Sequence, residues 1–126
     1  MNIFFDVDLT IISEDGNLRP RVPEVFRRLV EDGHKVYLWS GNGIRWQVVD
    51  RCCLRKWVSD CLYKPLYDHR QALARQGFPV HPDFCVDDYP ELVTEFGGVH
   101  VLPYGEPDPG DQEMVRVYET VRAWVG

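Results

Sequence analysis

The sequence predicts an α/β protein: a five-stranded, mainly parallel, doubly wound sheet with helices on both faces, three layers in all. Two observations carry this. Five short apolar, β-prone runs recur along the chain, and segments of helical period separate them. The runs are continuously apolar and do not alternate, as expected of strands covered on both faces.

Ile3-Phe4-Phe5 is the first run. A flap of about residues 11–21 follows, where Asp15-Gly16 is a hairpin-turn signal between Ile11-Ile12 and Leu18. Val22, Val25, Phe26, Leu29 and Val30 then fall on one helical stripe, with Gly33 placed to end that helix as its C′ residue. Val36-Tyr37-Leu38-Trp39 gives the second strand and Cys61-Leu62-Tyr63 the third, with a helix expected over Ile44 to Cys53 between them. A helix over Leu66 to Gln76 leads to the fourth strand, Phe84-Cys85-Val86. Another over Tyr89 to Phe96 leads to the fifth, Val99 to Leu102. The last helix carries Met114, Val117, Tyr118, Val121 and Val125 on one face, with Asp108 as its expected N-cap and Pro109 at its first position.

The 126 residues make one domain, 1–126, with no linker, repeat or low-complexity tract. Fourteen Lys and Arg against 20 Asp and Glu give a formal charge of −6, which argues against a protein whose affinity comes from a nucleic-acid backbone. No apolar run approaches the roughly 18 residues of a membrane span, and the start MNIFFDVDLT lacks the marks of a signal peptide, so a cytoplasmic protein without membrane partners is expected. Cys52, Cys53, Cys61 and Cys85 show no zinc-ligand spacing and are expected as reduced thiols.

In open parallel sheets, ligands bind beyond the carboxyl ends of the strands. Every such exit here is polar: Asp6-Val7-Asp8-Leu9-Thr10, Ser40-Gly41-Asn42, Lys64-Pro65 and Asp87-Asp88. Four carboxylates brought together are tolerable only with a hard cation or raised pKa values, and magnesium suits oxygen ligands of this kind. With a lysine and a hydroxyl added, the set can hold a phosphoryl group and neutralise its oxygens in the transition state. Arg45, beyond the second strand, is a candidate contact for the leaving group, while Arg51, Arg55 and Lys56 read as a solvated face.

In order along the chain, these four exits resemble the four motifs of the haloacid dehalogenase-like hydrolase superfamily, whose Rossmann-like core has this architecture. The resemblance implies a magnesium-dependent phosphatase acting on phosphate monoesters. Asp6 would be the nucleophile that becomes an aspartyl-phosphate, and Asp8 the general acid and then base. Magnesium would take Asp6, the main-chain carbonyl of Asp8, Asp87, and Asp88 directly or through water. Thr10, Ser40, Gly41 and Lys64 would hold the phosphate. Two alternatives stand beside this reading: a non-catalytic or regulatory module that binds phosphate or metal on the same fold, and a phosphotransferase.

Relatives of that kind often carry a cap domain after the first or third strand, and neither interval here has room for one. The flap can narrow the entrance without closing it. An open site implies a bulky substrate, such as a phosphoprotein or nucleic-acid end, or a homo-oligomer whose neighbour serves as lid, an idea to which four tryptophans lend weight. A phosphorylated small molecule remains the first expectation.

Overall fold

In the computed structural model, which describes residues 1–124, strands and helices alternate along the whole chain. They are β1 (Asn2–Asp6), α1 (Val22–Glu31), β2 (Lys35–Ser40), α2 (Trp46–Arg51), β3 (Val58–Tyr63), α3 (His69–Gln76), β4 (Phe84–Asp87), α4 (Pro90–Phe96), β5 (Gly98–His100) and α5 (Glu113–Ala123). All strand pairs are parallel, in the order β3-β2-β1-β4-β5. The chain therefore winds outward from β1 to β3, returns, and winds the other way through β4 and β5. The reversal lies between β1 and β4, which is where an open parallel sheet leaves a crevice.

Successive strand residues point to opposite faces, and the three central strands divide their side chains accordingly. Ile3, Phe5, Val36, Leu38, Phe84 and Val86 enter the larger core cluster, with α1, α2 and α5 packed over it. Phe4, Tyr37, Trp39 and Cys85 enter the smaller one, beneath Leu73 of α3 and Leu92 of α4. Both faces being covered is the reason these strands read as unbroken apolar runs. The register pairs Phe5 with Leu38 on one side and with Val86 on the other, so the polar residues that end β1, β2 and β4 emerge side by side.

α1 ends as expected: the Gly33 N–H donates to Val30 O and the His34 N–H to Leu29 O, with Gly33 at φ 93°. Those two bonds make a Schellman cap. Val30, counted on the apolar stripe, lies at its margin and is exposed. The flap folds as the turn its sequence signals: Ser13 N–H donates to Asn17 O, Gly16 N–H donates to Ser13 O, and Ile12 bridges Leu18. Ile11 and Ile12 are buried in the larger cluster, so this segment is anchored to the core and does not hang free.

Several boundaries differ from the sequence expectation. Asp108 does not cap α5, and Pro109 is not its first residue. The Asp108 carboxylate accepts from the Gly110 N–H, and its carbonyl from the Asp111 N–H, so Asp108-Pro109-Gly110-Asp111 closes a separate turn before the helix begins at Glu113. Val125 lies outside the described residues. β3 starts earlier than its apolar run, because Ser59 is an extra residue in its pairing with β2 and this edge strand carries Ser59 and Asp60 toward solvent. α2, α3 and α4 are each shorter than expected, and Ile44, Leu66 and Tyr89 belong to the loops that precede them. β5 ends at His100, and Leu102 is exposed beyond it.

At Gly98, φ is 140° and a Cβ would overlap the main-chain oxygen and nitrogen of Cys85, so only glycine lets β5 pair with β4 there. The tryptophans are all accounted for within the chain. Trp39 is 1% exposed, Trp46 and Trp57 pack on the larger cluster, and Trp124 meets Phe84 edge-on at 5.0 Å between centroids. Their number therefore has an intramolecular explanation and gives no weight to a neighbouring subunit as lid. Among the described residues, no helix is long and apolar enough to cross a membrane.

Candidate functional site

Asp6, the last residue of β1, and Asp87, the last of β4, meet across the crevice. The Lys64 ammonium, delivered by the exit of β3, sits between them, donating to Asp6 Oδ1 at 2.8 Å and Asp87 Oδ2 at 3.1 Å. Asp88 completes the group: one carboxylate oxygen from each of Asp6, Asp87 and Asp88 lies within 4.8 Å of the others. Three hard oxygen donors at that separation suit a magnesium-sized cation, with waters filling the rest of its shell.

The main chain after β1 turns sharply to make this possible. Thr10, Ile11 and Ile12 all direct their N–H groups to Val7 O, and Leu9 adopts φ 64°, uncommon for a branched side chain. The turn buries Thr10 completely and aims its hydroxyl at Asp6 Oδ2 (3.0 Å) and Asp88 Oδ1 (3.3 Å). Thr10, expected near the phosphate, thus touches the carboxylates from behind. Asp87 is fixed in turn by the Tyr89 N–H, which donates to its Oδ1 at 3.0 Å.

Burial pushes the Asp6 carboxyl up to about 6 against the opposing pull of Lys64. Asp87 is raised as well, by burial first and by Asp6 second. At Lys64 burial works against the charge, but the two carboxylates outweigh it and raise the ammonium above its ordinary value. Lys64 is thus the charge that lets two buried carboxylates share one crevice.

Asp8 is placed apart. Its carboxylate is turned from the acidic group toward the exit of β2, where Oδ2 accepts from Arg45 Nη1 at 2.6 Å and Asn42 Nδ2 at 2.8 Å. Burial tends to raise this carboxyl, but the hydrogen bonds from Arg45 and Asn42 prevail and hold it below the usual carboxylate range. Ser40, 1% exposed, accepts at Oγ from the Asn42 N–H (3.1 Å) and Arg45 Nη1 (3.3 Å). Both bonds arrive at oxygen, and the hydroxyl itself helps to hold the Asp8 carboxyl low. Gly41 follows, and Leu66 rests directly over it.

These groups line one cavity of about 540 Å³. Asp6, Asp8, Ser40, Gly41, Lys64, Asp87 and Asp88, all expected from the sequence, border it, whereas Thr10 and Arg45 stand behind. No residue of the flap contributes, so the flap does not narrow the entrance. The walls come instead from Leu66 and His69 beyond β3, and from Tyr89, Glu91 and Leu92 beyond β4. Neither a comparison with protein-family models nor one with curated proteins returns a match to this chain. The assignment therefore rests on the geometry itself.

A second constellation, which the sequence reading missed, holds the first in place. Arg19, 1% exposed, makes a bidentate pair with Asp111 at 2.7 and 2.9 Å. It also donates to Thr10 O at 3.1 Å and Leu102 O at 2.8 Å, and its guanidinium lies over the Tyr104 ring. One side chain thus ties the turn after β1 to the chain that leaves β5 and to the start of α5. Its sequence context, a polar stretch between a turn and a helix, carries no sign of this. Its partner is 92 positions away.

Proposed function

We propose that this protein is a magnesium-dependent phosphatase of the haloacid dehalogenase-like type, hydrolysing phosphate monoesters through an aspartyl-phosphate on Asp6. The observation that carries the reading is the Lys64 ammonium held between Asp6 and Asp87, with Asp88 beside them, at the point where the sheet order reverses. Asp6, Asp87 and Asp88, with the main-chain carbonyl of Asp8, are the groups that would hold magnesium. When bound, the ion would neutralise phosphoryl charge and let the dianionic ester approach a carboxylate.

Thr10 and Lys64 fix the two oxygens of Asp6 and so set its rotamer for attack. In the first step an Asp6 oxygen forms a bond to phosphorus while the ester P–O bond breaks, and the departing alcohol oxygen takes the electron pair and a proton from Asp8. In the second, water attacks phosphorus, Asp8 accepts the water proton, and the bond between phosphorus and Asp6 breaks to restore the carboxylate. The resting pairing of Asp8 with Arg45 and Asn42 favours its ionised form, which is the base of the second step. For the first step Asp8 exchanges Arg45 for a proton. Lys64, the Ser40 hydroxyl and the Gly41 main chain receive the phosphoryl oxygens, whose charge grows in the transition state.

Turnover of an aryl phosphate with magnesium, absent in Asp6→Asn and absent without the metal, is the expected result. A wild-type chain that hydrolyses no phosphate monoester above the Asp6→Asn control overturns the proposal. Stable phosphorylation by acetyl phosphate without turnover would assign the site to a regulatory module instead. The family, the metal and the cytoplasmic setting all belong to this proposal, and so does the choice of a small molecule over a bulkier substrate.

A further inference from the structure

The floor of the cavity is charged, but its walls are of another character. Leu9, Pro65, Leu66, Tyr89 and Leu92 are among the residues that line them. Leu66 is 70% exposed and Tyr89 64%, and Tyr67, next to Leu66, is 72% exposed. Scattered apolar residues on a surface need no explanation, but several at one cavity mouth do. They also come from opposite sides of the site, since the exits of β3 and β4 flank those of β2 and β1 in the sheet.

Leu66 marks where floor becomes wall. A Cβ at Gly41 would come within 3.1 Å of Leu66 Cδ2, so this methyl lies against the main chain next to the Ser40 hydroxyl. A group attached to a phosphate seated on Ser40 and Lys64 meets Leu66 as its first neighbour.

The charges exclude other occupants. Among the described residues lining the cavity, Lys64 is the one Lys or Arg, and Asp6 and Asp87 already take it. Arg45, close by, is committed to Asp8. His69 has its Nδ1 on the Glu95 carboxylate at 2.8 Å, and Glu91 adds a negative charge to the wall. A second phosphate or a carboxylate on the leaving group finds no free cation and meets acids.

We infer that the site takes small phosphate monoesters whose leaving group presents an apolar face, above all an aromatic ring, and bears no second anion, with Leu66 and Tyr89 as the residues that select it. The inference rests on the floor being a phosphoryl site. A cavity of about 540 Å³ lies within the roughly 300–1,000 Å³ usual for small-molecule pockets. Nucleic-acid ends, bisphosphates and phosphorylated acids are excluded as substrates.

Three non-hydrolysable probes separate the inference from its foundation: methylphosphonate, benzylphosphonate and 3-phosphonopropionate, titrated by NMR into the wild-type protein with magnesium. Benzylphosphonate should bind about tenfold more tightly than methylphosphonate, the order of gain expected for burying part of a ring. The carboxylate-bearing probe should bind more weakly than methylphosphonate. Leu66→Ala and Tyr89→Ala should each weaken benzylphosphonate more than methylphosphonate, removing about threefold or more of the benzyl advantage. Methylphosphonate binding with no benzyl preference, a preference for the carboxylate, or a benzyl preference indifferent to both substitutions overturns the inference while sparing the phosphoryl site. Failure of all three probes to bind overturns both.

Discussion

The exits of β1 and β3 each deliver one charged group to the same cluster, Asp6 from the first and Lys64 from the second, yet the two loops are built in opposite ways. After β1 the chain is tied at every turn. Val7, Thr10, Ile11, Ile12, Ser13 and Arg19 are buried, three N–H groups converge on Val7 O, and Arg19 bolts the loop to the far end of the chain. After β3, Lys64 is held by its N–H on Ser40 O and Pro65 is buried, but Leu66, Tyr67 and Asp68 all stand in solvent before α3 begins. Under the proposed function the contrast separates two tasks: the loop that would place the attacking atom is over-determined, and the loop that would meet the leaving group is left with exposed apolar side chains.

The largest effect expected from breaking that contrast comes from Asp111→Ala. It strands the Arg19 guanidinium in the interior, a loss of about 3–5 kcal/mol in urea unfolding. Replacing the pair together, Arg19→Met with Asp111→Leu, should recover only part of this. Thr10 O and Leu102 O lose their donor, leaving a deficit of about 1–3 kcal/mol. Full recovery would mean that the two carbonyls find other donors and that the loop is less tightly specified than its bonds imply.

Next in size is Lys64→Met, measured by turnover of an aryl phosphate. Under the proposed function, loss of the lysine charge facing the phosphoryl oxygens should lower kcat about 10²–10³-fold. It should also push Asp6 and Asp87 further up, since their mutual repulsion is then unopposed. A variant with near-normal kcat would confine Lys64 to neutralising the two carboxylates.

A third effect concerns pH. Asp6 is raised from 3.8 to about 6, chiefly by burial. Below the lower value it is protonated in both folded and unfolded chains, and above the higher it is ionised in both, with the burial penalty fully present. In between, the folded chain holds more protons, so without metal this carboxyl makes stability fall as pH rises through that window. Magnesium needs the ionised form, so the rise in Tm on adding saturating magnesium should grow across the same window to about 5 °C. Scanning calorimetry at several pH values checks this, and a metal-induced shift that does not depend on pH would place the ion elsewhere.

The smallest effects should come from the loop after β3 and its counterpart beyond β4. Leu66→Ala and Tyr89→Ala should each change unfolding free energy by no more than about 0.5 kcal/mol, because neither side chain is buried. A larger loss at Leu66 would show that its seat over Gly41 supports the fold, and the contrast between the loops would narrow.

What was legible in the sequence follows from how local each signal is. Ile3-Phe4-Phe5 before Asp6, and Phe84-Cys85-Val86 before Asp87-Asp88, announce a buried strand and a polar exit within a few residues, so both the strands and the charged floor could be read directly. Leu66 and Tyr89 were misplaced for a related reason. An apolar residue just ahead of a helix looks the same as the first residue of its buried stripe, and only the onset of α3 at His69 and of α4 at Pro90 shows that both lie outside. The turning of Asp8 toward Arg45 and Asn42 was hidden because it depends on the two exits being neighbours in space. Arg19 was least visible, since nothing nearby distinguishes an arginine that reaches 92 positions along the chain from one that lies in water.

That reach bears on the order in which the molecule can be assembled. β1, which carries Asp6, is synthesised first, but the sheet neighbour on its acidic side is β4, and the carboxylate that secures Arg19 lies later still, at Asp111. During synthesis the turn after β1 waits for nearly the whole chain before its anchoring partner exists, a contact of high sequence separation and therefore slow to close. Until β4 is made, the floor also lacks Asp87 and Asp88, and Asp6 has no compact group of acids beside it. Under the proposed function, metal binding and catalysis would both wait for β4, long after β1 has been made.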